Sequence, residues 1–120
     1  MASDEKVLVG ITSNEPEDVL LGYLTGVEAL RAGKQATFWL TKDAIHVATD
    51  GAAESMVVPD APDTRELHDE FVERGGRFLV CPVCVKLRGL GDNSWSENTT
   101  VAGLPAVYEY TSGGALVFNY

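Results

Sequence analysis

The chain predicts an α/β fold, a three-layer sandwich in which a mostly parallel sheet of about five strands carries helices on both faces. Short apolar runs alternate with segments of helical spacing, the pattern of strand–helix–strand units. Each run is apolar throughout rather than at every second position, as a strand covered on both faces requires. The length, 120 residues with 45% hydrophobic side chains, suits one domain spanning 1–120 with a substantial core.

Taken in order, Lys6-Val7-Leu8-Val9-Gly10-Ile11 reads as the first strand. Residues 1–5 ahead of it read as a disordered tail, and the polar start lacks a signal peptide's apolar region. Ser13 or Asn14 is expected to cap the next helix, with Pro16 in its first turn. Val19, Leu20, Tyr23, Leu24, Val27 and Leu30 form that helix's inner stripe, and Gly33 stops it. Ala36-Thr37-Phe38-Trp39-Leu40 is a second buried strand, with Trp39 in the core. Lys42 to Ala48 reads as a short helix and Asp50-Gly51 as a turn. Residues 52–63, with Pro59 and Pro62, read as a loop or helical turn. A helix then starts at Thr64, faces inward through Leu67, Phe71 and Val72, and ends at Gly75-Gly76.

Arg77-Phe78-Leu79-Val80 is the next strand, and Lys86-Leu87-Arg88-Gly89 reads as a short helix with a glycine stop. Gly91 to Thr100 is polar and reads as an exposed loop carrying Trp95. Leu104 to Tyr110 reads as a last helix and Ala115 to Phe118 as the final strand. In a flavodoxin-like strand order the first strand neighbours the third, and ligands sit in the crevice at their carboxyl ends. Cys81 would then face Thr12-Ser13-Asn14 across the crevice, with loop 91–100 as a cover.

The net charge of −9 disfavours nucleic acid or an anionic membrane as the main partner. No apolar run has the length of a spanning helix. The cytoplasm is the default compartment, and there a Cys-x-x-Cys pair is more often catalytic or metal-binding than a structural disulfide. Cys81 and Cys84 are the chain's two cysteines, and Arg74, Arg77, Lys86 and Arg88 account for four of its nine basic residues. Surface solvation explains such a cluster, and so does a site tuned to hold an anionic sulfur.

Cys81 falls where a strand ends and a helix begins, so the amides of Val83 and Cys84 are its expected donors, Pro82 having none. Cys84, one turn further in, is placed to resolve a mixed disulfide. The bland alternative is two small buried hydrophobes. A zinc site within one chain would need His46 and His68 as well, and those come from separate helices. No resident metal or other cofactor is expected. The turn at Gly10 to Pro16 lacks a phosphate loop's glycines, and Glu15, Glu17 and Asp18 would repel phosphate, so flavin mononucleotide is not expected either. Trp95 is a candidate shield for the thiol, a subunit contact or a loop anchor. Tyr108, Tyr110, Phe118 and Tyr120 give the C-terminal end an aromatic character that a second copy would cover, ordinary core packing being the alternative.

The segment Phe78-Leu79-Val80-Cys81-Pro82-Val83-Cys84-Val85-Lys86-Leu87-Arg88-Gly89-Leu90 resembles the active-site segment of the DsrE/DsrF-like (YchN-like) family. The likeness extends to the opening strand and long helix, to Phe38-Trp39-Leu40-Thr41-Lys42-Asp43-Ala44 and to the closing strand. It implies a flavodoxin-like sandwich that assembles into trimers or hexamers, and a role in sulfur relay with sulfane sulfur held as a persulfide on the strand-end cysteine. That position is Cys81. Cys84 lies outside the pattern of the best-studied sulfur-relay members. The resulting expectation is a small cytoplasmic sulfur carrier or sulfurtransferase working with donor and acceptor proteins. Cys81 would carry the sulfur, Cys84 would resolve it, and Arg88, Lys86, Thr12, Ser13, Asn14 and Trp95 would surround it. The rivals are a dithiol redox protein or thiol sensor, a non-catalytic oligomeric binding module, and an intersubunit metal site.

Overall fold

Valine, isoleucine and phenylalanine pack well on a pleated, doubly covered surface, and the runs rich in them form the sheet. The structure is a computed structural model that describes residues 4–120. Its strands are β1 (Lys6–Ile11), β2 (Gln35–Leu40), β3 (Arg77–Val80), β4 (Thr99–Val101) and β5 (Leu116–Asn119). Its α-helices are α1 (Pro16–Arg31), α2 (Thr64–Glu73), α3 (Pro82–Leu87) and α4 (Leu104–Thr111). Two 3-10 segments, Lys42–Ala48 and Ala52–Ser55, lie between β2 and α2.

The α/β class and the parallel sheet are as expected: every strand pair is parallel, in the order β4-β3-β2-β1-β5. The expected adjacency of the first and third strands does not occur, because β2 lies between them. The cause is the direction of the crossovers. The first three connections all step the same way across the sheet, so consecutive strands become neighbours. Only the connection through α4 runs back, to the free edge of β1. With right-handed crossovers, that reversal places α4 on the face opposite α1 and α2.

The α1 and α2 face is the core. Val9, Ile11, Phe38, Leu40, Phe78 and Val80 point into it, each 0% exposed. There they meet Val19, Tyr23 and Phe71. Tyr23, Phe38, Phe71 and Phe78 form one aromatic cluster, with ring centroids 4.4 to 6.4 Å apart. The helix rides low on the sheet at Gly22 and Gly26. A Cβ at Gly26 would sit 2.8 Å from Phe71 and 2.9 Å from Phe38. Outside the cluster, Glu70 of α2 binds Arg31 of α1 at 2.6 Å and Arg74 at 2.7 Å. These hydrogen-bonded guanidinium groups, Arg31 foremost, hold its carboxyl down at about 2.

Three local expectations change. Neither Ser13 nor Asn14 is the cap of α1; Glu15 is, and Pro16 follows at the first helical position. Ser13 instead accepts the Glu15 amide through its Oγ at 2.9 Å, a turn formed just ahead of the helix. The polar loop 91–100 ends in β4, a three-residue edge strand whose threonines show no apolar run. Trp39 is half-buried, on the α4 side of β2 rather than in the main core. Of the expected tail, residues 1–3 lie outside the described residues. The Glu5 carbonyl accepts the Gln35 amide at 2.9 Å, and its carboxylate pairs with Lys34. No described helix is long and apolar enough to cross a membrane.

Candidate functional site

The carboxyl ends of the strands set the site's frame. β3 ends at Val80, and the Cys81 amide donates to Leu40 O at 3.1 Å, so the cysteine continues the ladder by one bond. Pro82 then starts α3 at its first position, where a missing N–H is harmless. Within α3, Val85 is buried against the core and anchors the helix, while Val83 and Leu87 are 63% and 76% exposed. Both cysteines are free thiols of intermediate exposure, neither lost in the core nor fully in solvent.

The expected donors to Cys81 are not used. Cys81 is the cap residue of α3, yet its side chain accepts no capping hydrogen bond. Its sulfur lies instead within hydrogen-bonding reach of Cys84. Cys84 is the sulfur with a main-chain donor, because the Lys42 amide points at its Sγ from 3.1 Å. Arg88 completes the surroundings. Its Nε donates to Asp43 Oδ1 at 2.9 Å and its Nη1 to Cys84 O at 3.5 Å.

The charges acting on Cys84 pull in opposite directions. Burial is the largest effect and pushes its thiol up. The Lys42 N–H draws it down, Cys81 pushes it up both as a hydrogen-bond partner and as a charge, and Arg88 draws it down. At rest the pair therefore keeps a proton on Cys84. The site is a dithiol held between the start of α3 and the loop that leaves β2.

The other expected site residues divide. Arg88 is at the pair, whereas Lys86 is exposed on α3 and its side chain makes no hydrogen bond or ion pair among the described residues. Thr12, Ser13 and Asn14 leave β1, so the end of β2 stands between them and Cys81. Thr12 bonds instead to the neighbouring strand's end, its amide donating to Tyr120 O at 3.2 Å. Asn14 is exposed. Trp95 is a loop anchor on its own domain: it bridges Thr49 and packs half-buried on the core, while the amides of Asp50 and Ser96 bond to Ser94 O and Ala48 O.

Sequence reasoning missed Lys42 and Asp43. The segment Thr41-Lys42-Asp43 was part of the family resemblance, but nothing in its composition announces that Lys42 turns left-handed, with φ 53°. No group of three or more His, Cys, Asp or Glu side chains among the described residues converges as a metal would need.

Residues 8–120 match the DsrE/DsrF-like family. Among solved structures, the YchN protein of E. coli superposes with a TM-score of 0.76 at 12% identity, covering 98% of this chain and 100% of that one. A protein of unknown function from Methanobacterium thermoautotrophicum gives 0.70 at 17% identity, with 98% and 100% covered. Another, from Bacteroides thetaiotaomicron, gives 0.54 at 13% identity, with 97% and 95% covered. At these identities the likeness is one of fold. No curated protein matches.

Proposed function

The chain belongs to the DsrE/DsrF-like family, which is associated with sulfur relay, and from that premise we propose that it is a small cytoplasmic sulfur carrier with Cys81 as the carrying residue. The observation that supports this reading best is the placement of Cys81 at the end of β3, half-exposed, one helical turn from a second free thiol. The Cys81 thiolate attacks the outer sulfur of a donor persulfide. A Cys81–sulfur bond forms, the donor's sulfur–sulfur bond breaks, and the donor leaves as a thiolate. Cys84 then attacks the Cys81 sulfur and expels the carried sulfur as hydrosulfide. Two thiols are oxidised to a disulfide and the sulfane sulfur is reduced to sulfide, so no outside oxidant is needed.

Mass spectrometry after incubation with a persulfide donor tests the loading step. Wild-type protein should gain one sulfur atom on the peptide holding Cys81, and Cys81→Ser should gain none there. Wild type and Cys81→Ser without added sulfur on that peptide would end the proposal.

The reach between the two thiols also supports a second reading, a dithiol redox protein that cycles through a Cys81–Cys84 disulfide and retains no sulfur. Under it, Cys84→Ser abolishes the activity. Under the carrier reading, Cys84→Ser retains the loaded sulfur longer.

Self-association is part of the proposal. All four residues of β5 are exposed, and Leu116, Val117, Phe118, Leu104 and Tyr108 present apolar side chains on an otherwise acidic chain. Such a surface suits a second copy. Light scattering over a dilution series should show a trimer or hexamer, and a monomer at every concentration would remove this part.

A further inference from the structure

Lys42 has an ordinary side chain in an uncommon conformation. Its φ of 53° lies in the left-handed region, where lysine's Cβ crowds the backbone and which glycine or asparagine occupies more readily. Its neighbours on both sides are fixed. The Thr41 amide donates to Ile11 O, the Ala44 amide donates to Thr41 O, and Ala44 and Ile45 are 0% exposed in the core. With those anchors held, the sign of φ at Lys42 decides which way the Thr41–Lys42 peptide plane turns. In the observed setting its N–H reaches Cys84 Sγ at 3.1 Å. A return to negative φ would rotate the plane and take the N–H away.

The same loop is tied to α3 a second time, one residue on, by Asp43 and Arg88 at 2.9 Å. Arg88 in turn reaches over the Cys84 carbonyl. A main-chain donor and a guanidinium thus converge on one cysteine of the pair, and it is not the strand-end one.

We propose that Lys42 is a positioning residue whose left-handed backbone aims an amide at Cys84 and makes it the resolving sulfur, with Asp43 holding Arg88 in support. The proposal rests on the sulfur-carrier reading for its chemistry, but the aim of the amide can be tested without it. In the resting protein Cys81 opposes ionisation of Cys84. Once Cys81 carries sulfur, its Sγ is bonded to a leaving group and becomes an atom that Cys84 can attack, and the Lys42 N–H and Arg88 remain beside Cys84. Cys84 gives its proton to solvent and attacks Cys81 Sγ. The new bond joins the two cysteines, the bond from Cys81 to the carried sulfur breaks, and its electron pair leaves with hydrosulfide. Cys84 therefore acts second because Cys81 has reacted first.

The experiment uses Cys81→Ser as background, so that Cys84 is the only thiol and can be titrated by thiolate absorbance and by alkylation rate. Into it go Lys42→Gly, Lys42→Asn and Lys42→Val. All three remove the lysine charge; glycine and asparagine keep positive φ accessible, and β-branched valine disfavours it. Valine should slow alkylation at neutral pH by about tenfold relative to glycine, the loss of one hydrogen bond to a charged group, with asparagine close to glycine. Equal thiol pKa values in the glycine and valine variants would overturn the proposal.

Should the valine variant not fold, NMR of the background protein serves instead. The Lys42 amide proton should move with the Cys84 titration, and a Lys42 amide indifferent to that titration overturns the inference. Failure of the parent reading looks different: Cys81 then takes up no sulfur, while the Lys42 series still orders the Cys84 titration.

Discussion

The two faces of the sheet are built from the same strands and end in different states. On the α1 and α2 side, six strand residues are 0% exposed and pack on an aromatic cluster. On the α4 side, Leu8 and Thr37 are buried, but Trp39 and Leu79 are only half-covered and α4 has no buried residue at all. A cleft of about 530 Å³ stays open there, lined by Lys6, Thr37, Arg77, Leu79 and Tyr110. Tyr110 is the main tie, its hydroxyl donating to Val7 O at 3.0 Å. One face is closed by the chain itself, whereas the other keeps an open cleft and exposed apolar side chains.

The largest test of that contrast is a pair of truncations. Phe38→Ala should destabilise by about 3–5 kcal/mol in denaturant titration. Leu79→Ala, in dilute protein, should lose less than half as much because its surroundings are already wet. Equal losses would break the comparison.

Glycine on the closed face sharpens it. Gly26→Ala should lose about 1–3 kcal/mol through overpacking against Phe71 and Phe38. Gly91→Ala, where a Cβ meets nothing within 4 Å, should be near neutral by the same titration.

The rim of the closed face carries a pH dependence. The Tyr23 hydroxyl and His68 Nδ1 share a hydrogen bond at 2.7 Å, and burial holds Tyr23 protonated and His68 neutral. Burial lowers the His68 pKa in the fold, so below about pH 6.5 the unfolded chain takes up a proton that the folded one refuses. The His68 contribution is intact above pH 6.5 and declines as pH falls toward the lowered folded value. The slope is at most about 1.4 kcal/mol per pH unit. Melting temperature against pH should show it, and His68→Gln should flatten it between pH 6.5 and 5. An unchanged slope would exclude His68 as its source.

The smallest effect belongs to the open side. Tyr108→Ser, at a residue 73% exposed on α4, should alter the stability of dilute protein by less than about 0.5 kcal/mol. If α4 meets a second copy, the same substitution shifts the sedimentation profile toward smaller species.

Strands with continuous apolar runs were legible in the sequence, as was α1, whose stripe and Gly33 stop appear where they were read. β4 was not, because three residues at a sheet edge need no apolar pattern; their pairing comes from β3. Strand order was not either. It depends on which way each connection steps, and local spacing carries no such information. That single miss moved Thr12, Ser13 and Asn14 from the cysteine's side of the sheet to the far side of β2. The thiol pair was plain from its spacing, but the donor to Cys84 was hidden, since it is a main-chain group aimed by a backbone angle.

Phe71 lies between two glycines from different elements. A Cβ at Gly76 would come within 2.5 Å of one edge of its ring, and one at Gly26 within 2.8 Å of the other. The ring is wholly buried, so its turning over should require the close packing around it to open. Separate resonances for its two halves in solution, and the temperature at which they merge, would clock that breathing motion directly.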